Sequence, residues 1–314
     1  MNSRVKVVLK DTKQICDRLP QQLKKAKSGD EKAVHKFRVS IKKLRAICKI
    51  ISALREQEFE TPSTLRKIFK AAGGVREIQL RQHMLNRHRK RFGPAIASIV
   101  ADDEREMIKS VERLKVAIGK FKISEHKKFT AKILSHIKES FEREAVLKYL
   151  LLEIGYMDSW LSQQLDNSRD VHKLRIEMKS WYYGLQYSGV IALTPHQIKL
   201  YLSYWDPVQE LIGQWHDQQV FLDQVREELR KKKKPHDKDI QHSLAGIEKQ
   251  AQKKTSDLLA RIQHARKVWK SVLAEIRETI WKMNVDIYVP VARDKSRMQL
   301  RNTKRRVPLK TRGK

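Results

Sequence analysis

Residues 34–50 read VHKFRVSIKKLRAICKI. Val34, Phe37, Ile41, Leu44, Cys48 and, just beyond, Ile51 return every three or four positions, the rhythm of a helix that buries one seam. His35, Arg38, Lys42 and Arg45 keep the same rhythm beside it, so a helix stacks all four in one stripe. Like charges at that spacing repel by roughly a few tenths of a kcal/mol per pair. An anion lying along the stripe would remove that cost, so one short stretch specifies a helix, its buried face and a candidate binding face.

The stretch has a partner. Residues 171–187 read VHKLRIEMKSWYYGLQY, and the alignment pairs Val34 with Val171, His35 with His172, Lys36 with Lys173, Arg38 with Arg175 and Lys42 with Lys179. Phe37 and Leu174, Val39 and Ile176, and Ile41 and Met178 keep their apolar character. A second match follows at nearly the same offset: GGVREIQL from Gly73 resembles GQWHDQQV from Gly213, which pairs Arg76 with His216, Glu77 with Asp217 and Gln79 with Gln219. Two matches in the same order point to an internal duplication.

Helix punctuation supplies the rest of the fold. Ser28, Gly29 and Asp30 close a first helix and offer Asp30 as N-cap of the one carrying His35; Thr61 with Pro62 opens a third, and Gly93 with Pro94 separates it from a fourth. Ser124 is expected to cap a long fifth helix, Ser168 a sixth, and Thr194 with Pro195 a seventh that Pro207 bends or interrupts. The break RKKKKPHDKD precedes a long eighth helix ending near Asn284, whose seam is Ala251, Leu258, Ile262, Ala265, Trp269, Val272 and Ile276. Only 11 glycines and 8 prolines occur in 314 residues, about half the usual share, and no strand pattern competes. The expected fold is all-α: eight long helices in two four-helix sets, residues 1–122 and 123–290, then a basic tail, residues 291–314.

Composition bounds the partners. The chain carries 68 Lys plus Arg against 36 Asp plus Glu, a formal net charge of +32, far beyond what solubility requires. From Arg293 onward the tail holds ten Lys or Arg against the single Asp294. A polyanion is the natural partner. Cys16 and Cys48 make neither a metal-ligand spacing nor a disulfide framework and read as small buried hydrophobes. With no apolar run long enough for a signal peptide or a membrane span, the sequence predicts a soluble, cytoplasmic protein with no membrane partner.

A His-x-x-Arg helix with further basic residues seven to ten positions on, followed by the Gly73 segment, with the whole occurring twice in a basic helical chain, resembles the conserved histidine α-helical domain, CHAD. The resemblance spans about residues 4–285. It implies two four-helix bundles related by a pseudo-two-fold axis, basic helices facing a central cleft, and binding of inorganic polyphosphate, with association with polyphosphate granules. The implied contacts are His35, Lys36, Arg38, Lys42, Lys43 and Arg45 in the first copy and His172, Lys173, Arg175, Lys179 and Tyr182 in the second. Ser180 and Tyr182 replace the later basic positions, so the second copy is expected to grip less strongly. Arg76, Glu77, His216 and Asp217 are expected to orient these side chains. The Glu-x-Glu-x-Lys signature of the triphosphate tunnel enzymes joined to some family members is not found, so the chain reads as a stand-alone binder.

The residue chemistry fits such a ligand. Arg38 and Arg45 offer planar forks to pairs of oxygens, and Lys42 is a compact point charge. His35 and His172, ringed by cations, are expected to stay neutral until a polyanion arrives, so binding should tighten as pH falls. An enzyme is not expected: there is no Gly-rich phosphate loop, no His-Glu-x-x-His and no carboxylate set for a catalytic metal, and nothing calls for a cofactor. The alternative is a nucleic-acid binder acting through its basic surface and tail. Trp181, Tyr182, Tyr183 and Tyr187 could then stack on bases, yet Trp181 falls on the apolar seam with Val171, Leu174, Met178 and Leu185 and reads as core.

Overall fold

The structure is a computed structural model describing residues 2–163, 165, 168–231 and 238–283, with the side chains at 88–98, 231 and 239 outside that description. Every regular element in it is helical: α1 (Ser3–Ala26), α2 (Glu31–Leu54), α3 (Ser63–Gly119), α4 (Ile123–Ser140), α5 (Arg143–Ser162), α6 (Ser168–Ala192), α7 (Pro195–Lys231) and α8 (Lys238–Lys282). The caps are largely those the sequence offers. Asp30 accepts the Ala33 amide at 2.7 Å, and Gly29, at φ 81°, takes the left-handed turn that precedes it. Thr194 and Gln197 form a reciprocal box, the hydroxyl of Thr194 accepting the Gln197 amide at 3.2 Å and the Gln197 carbonyl accepting the Thr194 amide at 2.9 Å. Pro207 lies inside α7 without interrupting it; a proline removes one hydrogen bond, and packing on both sides, where Trp205 and Val208 are buried, holds the turn together.

The Gly93–Pro94 break falls among residues whose side chains are not described, but its surroundings show what the chain does there. Arg81 pairs with Asp103 at 2.5 Å, and a Cβ placed on Gly74 would lie 3.8 Å from the Ser110 hydroxyl. In a straight helix Arg81 and Asp103 would be about 33 Å apart. The helical segment Ser63–Gly119 is therefore folded back on itself as a hairpin centred near residue 92. The expected fifth helix is in fact two: the chain breaks at Phe141, φ −84° and ψ 52°, ending α4 and starting α5. Phe141 is almost fully buried, so the break serves to turn an aromatic ring into the core where no glycine or proline marks it.

Helix α4 packs on α1 and α2, whereas α5 packs on α6 and α8, and α7 pairs along its length with α8. In packing terms α4 thus goes with α1–α3, although the sequence punctuation grouped it with the later helices. The long α8 does in one piece what the returning arm of α3 and then α4 do in the first group. One continuous core runs through both groups and includes Phe37, Ile41, Leu44, Trp181, Trp205, Trp215 and Trp269. A second, smaller core joins the two hairpins, with Leu85 and Ile99 of α3 against Phe221, Leu222 and Val225 of α7 and Leu244, Ile247 and Ala251 of α8. Both predicted seams are buried, apart from the partly exposed Ala265. Cys16 and Cys48 are free and buried.

Candidate functional site

With the α2 seam sunk in the core, its stripe is held against α3. The Arg38 guanidinium lies over the Phe69 ring, 4.5 Å from its centroid, and donates Nη1 to the Phe69 carbonyl at 3.0 Å. Gly73, one turn further along α3, makes room for it, since a Cβ there would come within 2.9 Å of Nη1. Arg45 approaches the same ring, at 5.6 Å. Phe69 is thus a shared platform for two stripe arginines. Sequence reasoning missed it; the only hint was an aromatic one helical turn before a glycine.

On α6 the seam residues Val171, Leu174, Met178 and Trp181 are buried, and Arg175 and Lys179 sit half-buried beside them. Arg175 Nε is buried without a hydrogen-bond partner among the described residues. His172 meets His216 of α7, Nδ1 to Nδ1 at 3.4 Å, while Gly213 has open space where its counterpart Gly73 has Arg38. Tyr182, at the place of Arg45, is hydrogen-bonded by Asp206; burial first and then that carboxylate push its hydroxyl up to about 12.

The two stripes share one field. Burial brings Lys42 down to about 7, and Lys179, Arg38 and Arg175 push the same way against Asp217. Lys179 is brought down to about 8 by burial, Arg175 and Arg38, again against Asp217. Burial, Arg175 and Arg76 lower Arg38, with Glu77 opposing them. His35 is lowered by burial and by Arg76, Lys42 and Arg38; His172 by burial and Arg175. His216 falls to about 3 through burial, Arg175, His172, Lys179 and Lys42. Asp217 is raised because burial outweighs Arg175, Lys179, Arg76 and Lys42. The neutrality expected of His35 and His172 agrees in direction with these shifts.

Not every expected residue joins this cluster. Lys36 and Lys173 are exposed, Lys173 lying 3.9 Å from Asp170, and Lys43 is half-exposed. Glu77 is exposed beside Arg38. Arg76 donates to Glu31 at 2.6 Å, whose other oxygen meets His83 at 2.9 Å. Arg76 and then His83 hold the Glu31 carboxyl below the usual carboxylate range. Glu31, rather than Glu77, therefore fixes Arg76.

Lys49 extends the α2 stripe by one more turn and was also missed. Its amine meets Glu153 of α5 at 2.6 Å and the Ser180 hydroxyl of α6 at 3.3 Å. Arg38 feels Arg175, Lys42 feels Lys179, and Lys49, further on, reaches Ser180, so α2 and α6 run in the same sense with residues of equal rank facing each other. The cationic track is bare at its histidine end and meets carboxylates at the other, Glu153 on Lys49 and Asp206 on Tyr182. Among the described residues no group of three or more His, Cys, Asp or Glu side chains gathers as for a metal ion, and no helix is long and apolar enough to cross a membrane.

The fold and this cluster define a class: all-helical repeat proteins in which each copy contributes a His-x-x-Arg helix to one basic cleft. The family model of the CHAD domain matches residues 12–225, well over half of the chain, and the protein belongs to that family. Among solved structures, the CHAD domain from the plant Ricinus communis has the same fold, with a TM-score of 0.60 at 16% identity over 80% of this chain and 88% of that one. No curated protein matches.

Proposed function

We propose that this protein binds inorganic polyphosphate in the cleft between α2 and α6 and does no chemistry on it. The observation that carries the reading is the cross-cleft pairing of Lys42 with Lys179 and of Arg38 with Arg175, half-buried cations opposed within the cluster chiefly by Asp217 and Glu77. Partly desolvated charge of one sign is costly to hold unless a counter-charge arrives. A chain of phosphates brings one on every unit, with oxygens all round for the arginine forks. Glu31 and Phe69 hold Arg76 and Arg38 ready, which lowers the ordering cost of binding.

The reading extends to the architecture. Two groups, α1–α4 and α5–α8, related by a pseudo-two-fold axis, would place each first helix on the other group's basic helix. Packing of α1 on α6 and of α5 on α2 supports that reciprocity. A cytoplasmic protein gathered at polyphosphate granules is the setting this function expects. The basic tail, outside the described residues, keeps nucleic acid as the competing ligand.

The deciding experiment is calorimetric competition between long-chain polyphosphate and single-stranded or duplex nucleic acid, at matched charge and near-physiological salt. It should be run on the intact protein and on Arg38→Ala/Lys42→Ala/Arg45→Ala. Polyphosphate is expected to win on the intact protein and to lose orders of magnitude in affinity on the triple variant, while helicity is kept. A triple variant that binds normally, or nucleic acid winning, would overturn the reading.

A further inference from the structure

Two of the cleft cations are primary amines, and an amine in such a place can do more than attract. We propose that Lys42 is an acylation site for small acyl phosphates, the cluster of Arg38, Arg175 and Lys179 holding the donor's phosphate while the Lys42 amine takes its acyl group. The proposal rests on the cleft being an anion site, as proposed above, but not on polyphosphate being its ligand.

Acyl transfer to lysine needs a neutral amine, an access route and a place for the leaving group. Lys42 is half-exposed rather than sealed. The groups facing it are Arg38 on its own helix, Arg175 and Lys179 on α6 and Asp217 on α7. Three are cations, and together with burial they bring the amine down to about 7, against Asp217. An exposed lysine near 10.4 is neutral about one time in a thousand at pH 7.5, whereas most Lys42 amines would be free. Lower basicity also weakens a nucleophile. If amines follow the attenuation known for thiols, that penalty is about thirtyfold against a gain of several hundredfold, leaving a net advantage of about tenfold or more.

The arginines supply what a dilute acyl phosphate lacks in water. Their forks can hold the phosphate through paired oxygens and offset the charge that grows on it as it departs. In the step itself, the Lys42 Nζ lone pair forms the N–C bond at the acyl carbonyl and the bond from that carbon to the bridging oxygen breaks. Phosphate leaves with the electron pair, and the amine's extra proton passes to it. The amide product carries no charge, so one central cation is lost from the cleft. Acylation would therefore weaken whatever polyanion the cleft holds, and a bound polyanion would shield Lys42.

The test is to incubate the full chain with acetyl phosphate at pH 7.5 and follow acetylation of individual lysines by peptide mass spectrometry. Lys42 is expected to react at least about tenfold faster than Lys36 and Lys43 on the same helix, with Lys179 between them. The Lys42 rate should saturate with acetyl phosphate and be suppressed by inorganic pyrophosphate. Equal rates at Lys36, Lys43 and Lys42, or a rate that rises without limit with donor concentration, would overturn the proposal. Long-chain polyphosphate is then added. Selective, saturable reaction at Lys42 that polyphosphate fails to block would sustain the acylation site and count against the proposed ligand.

Discussion

Gly73 and Gly213 occupy matching positions in the two copies, yet their surroundings predict opposite outcomes. Alanine is the better helix former by about 0.5–1 kcal/mol. At Gly213, with open space around it, Gly213→Ala should add about that much stability in denaturant titration and leave polyphosphate affinity unchanged. At Gly73 the new methyl meets the end of the Arg38 side chain, which can swing away, so Gly73→Ala should cost little stability but lift Arg38 off Phe69. Polyphosphate affinity should then fall severalfold by calorimetry; an unchanged affinity would show that the perch on Phe69 is irrelevant to binding. The two amines make a second prediction. Because Lys42 and Lys179 take up protons less readily folded than unfolded, the unfolded chain holds more protons above pH 7, and the ligand-free protein should gain stability from about pH 7 towards pH 10. A polyanion favours the charged amines, so affinity should decline as pH rises through about 7 to 8, with proton uptake visible as a buffer-dependent binding enthalpy. Parallel pH trends in stability and affinity would refute the assignment.

At the scale of helices, what the sequence reveals is local and what it hides is long-range. The α2 seam, its Asp30 cap, the Thr194 box and the reversal near Gly93 all follow from side-chain period and backbone chemistry. The stripe residues follow too, because a seam fixes the phase of everything beside it. Phe69, Glu31 and Glu153 did not, since each acts on a residue of another helix and nothing local announces such a contact. The break at Phe141 stayed hidden because burial of the ring, rather than a turn residue, ends α4. The α3 hairpin carries its own prediction. Asp103 is almost buried and is met by Arg81, so Arg81→Ala leaves a charge stranded and should destabilise the protein by about 3 kcal/mol or more in chemical denaturation. Replacing the pair by Arg81→Met with Asp103→Leu should restore most of it, whereas a double variant as weak as the single one would place the role of Arg81 elsewhere.

Over the whole molecule, the net charge of +32 and the local cluster make separable contributions. By analogy with counterion release from nucleic acid, the logarithm of polyphosphate affinity should fall steeply and linearly with the logarithm of salt concentration. Removing residues 295–314 takes away nine Lys or Arg and no acid, yet it should cost little affinity and act mainly on the association rate. Stopped-flow and calorimetry on the truncated chain at several salt concentrations would check this; a collapse of equilibrium affinity would transfer the function to the tail. The parallel course of α2 and α6 reaches further still. Their shared direction gives the cleft a head, where the histidines lie, and a foot, where Glu153 and Asp206 stand. Polyphosphate has neither head nor foot, so a chain enters equally well by either end and settles at any stretch along its length. Such a site counts placements: apparent affinity per chain should climb in simple proportion to chain length once the cleft is filled, while affinity per placement stays constant.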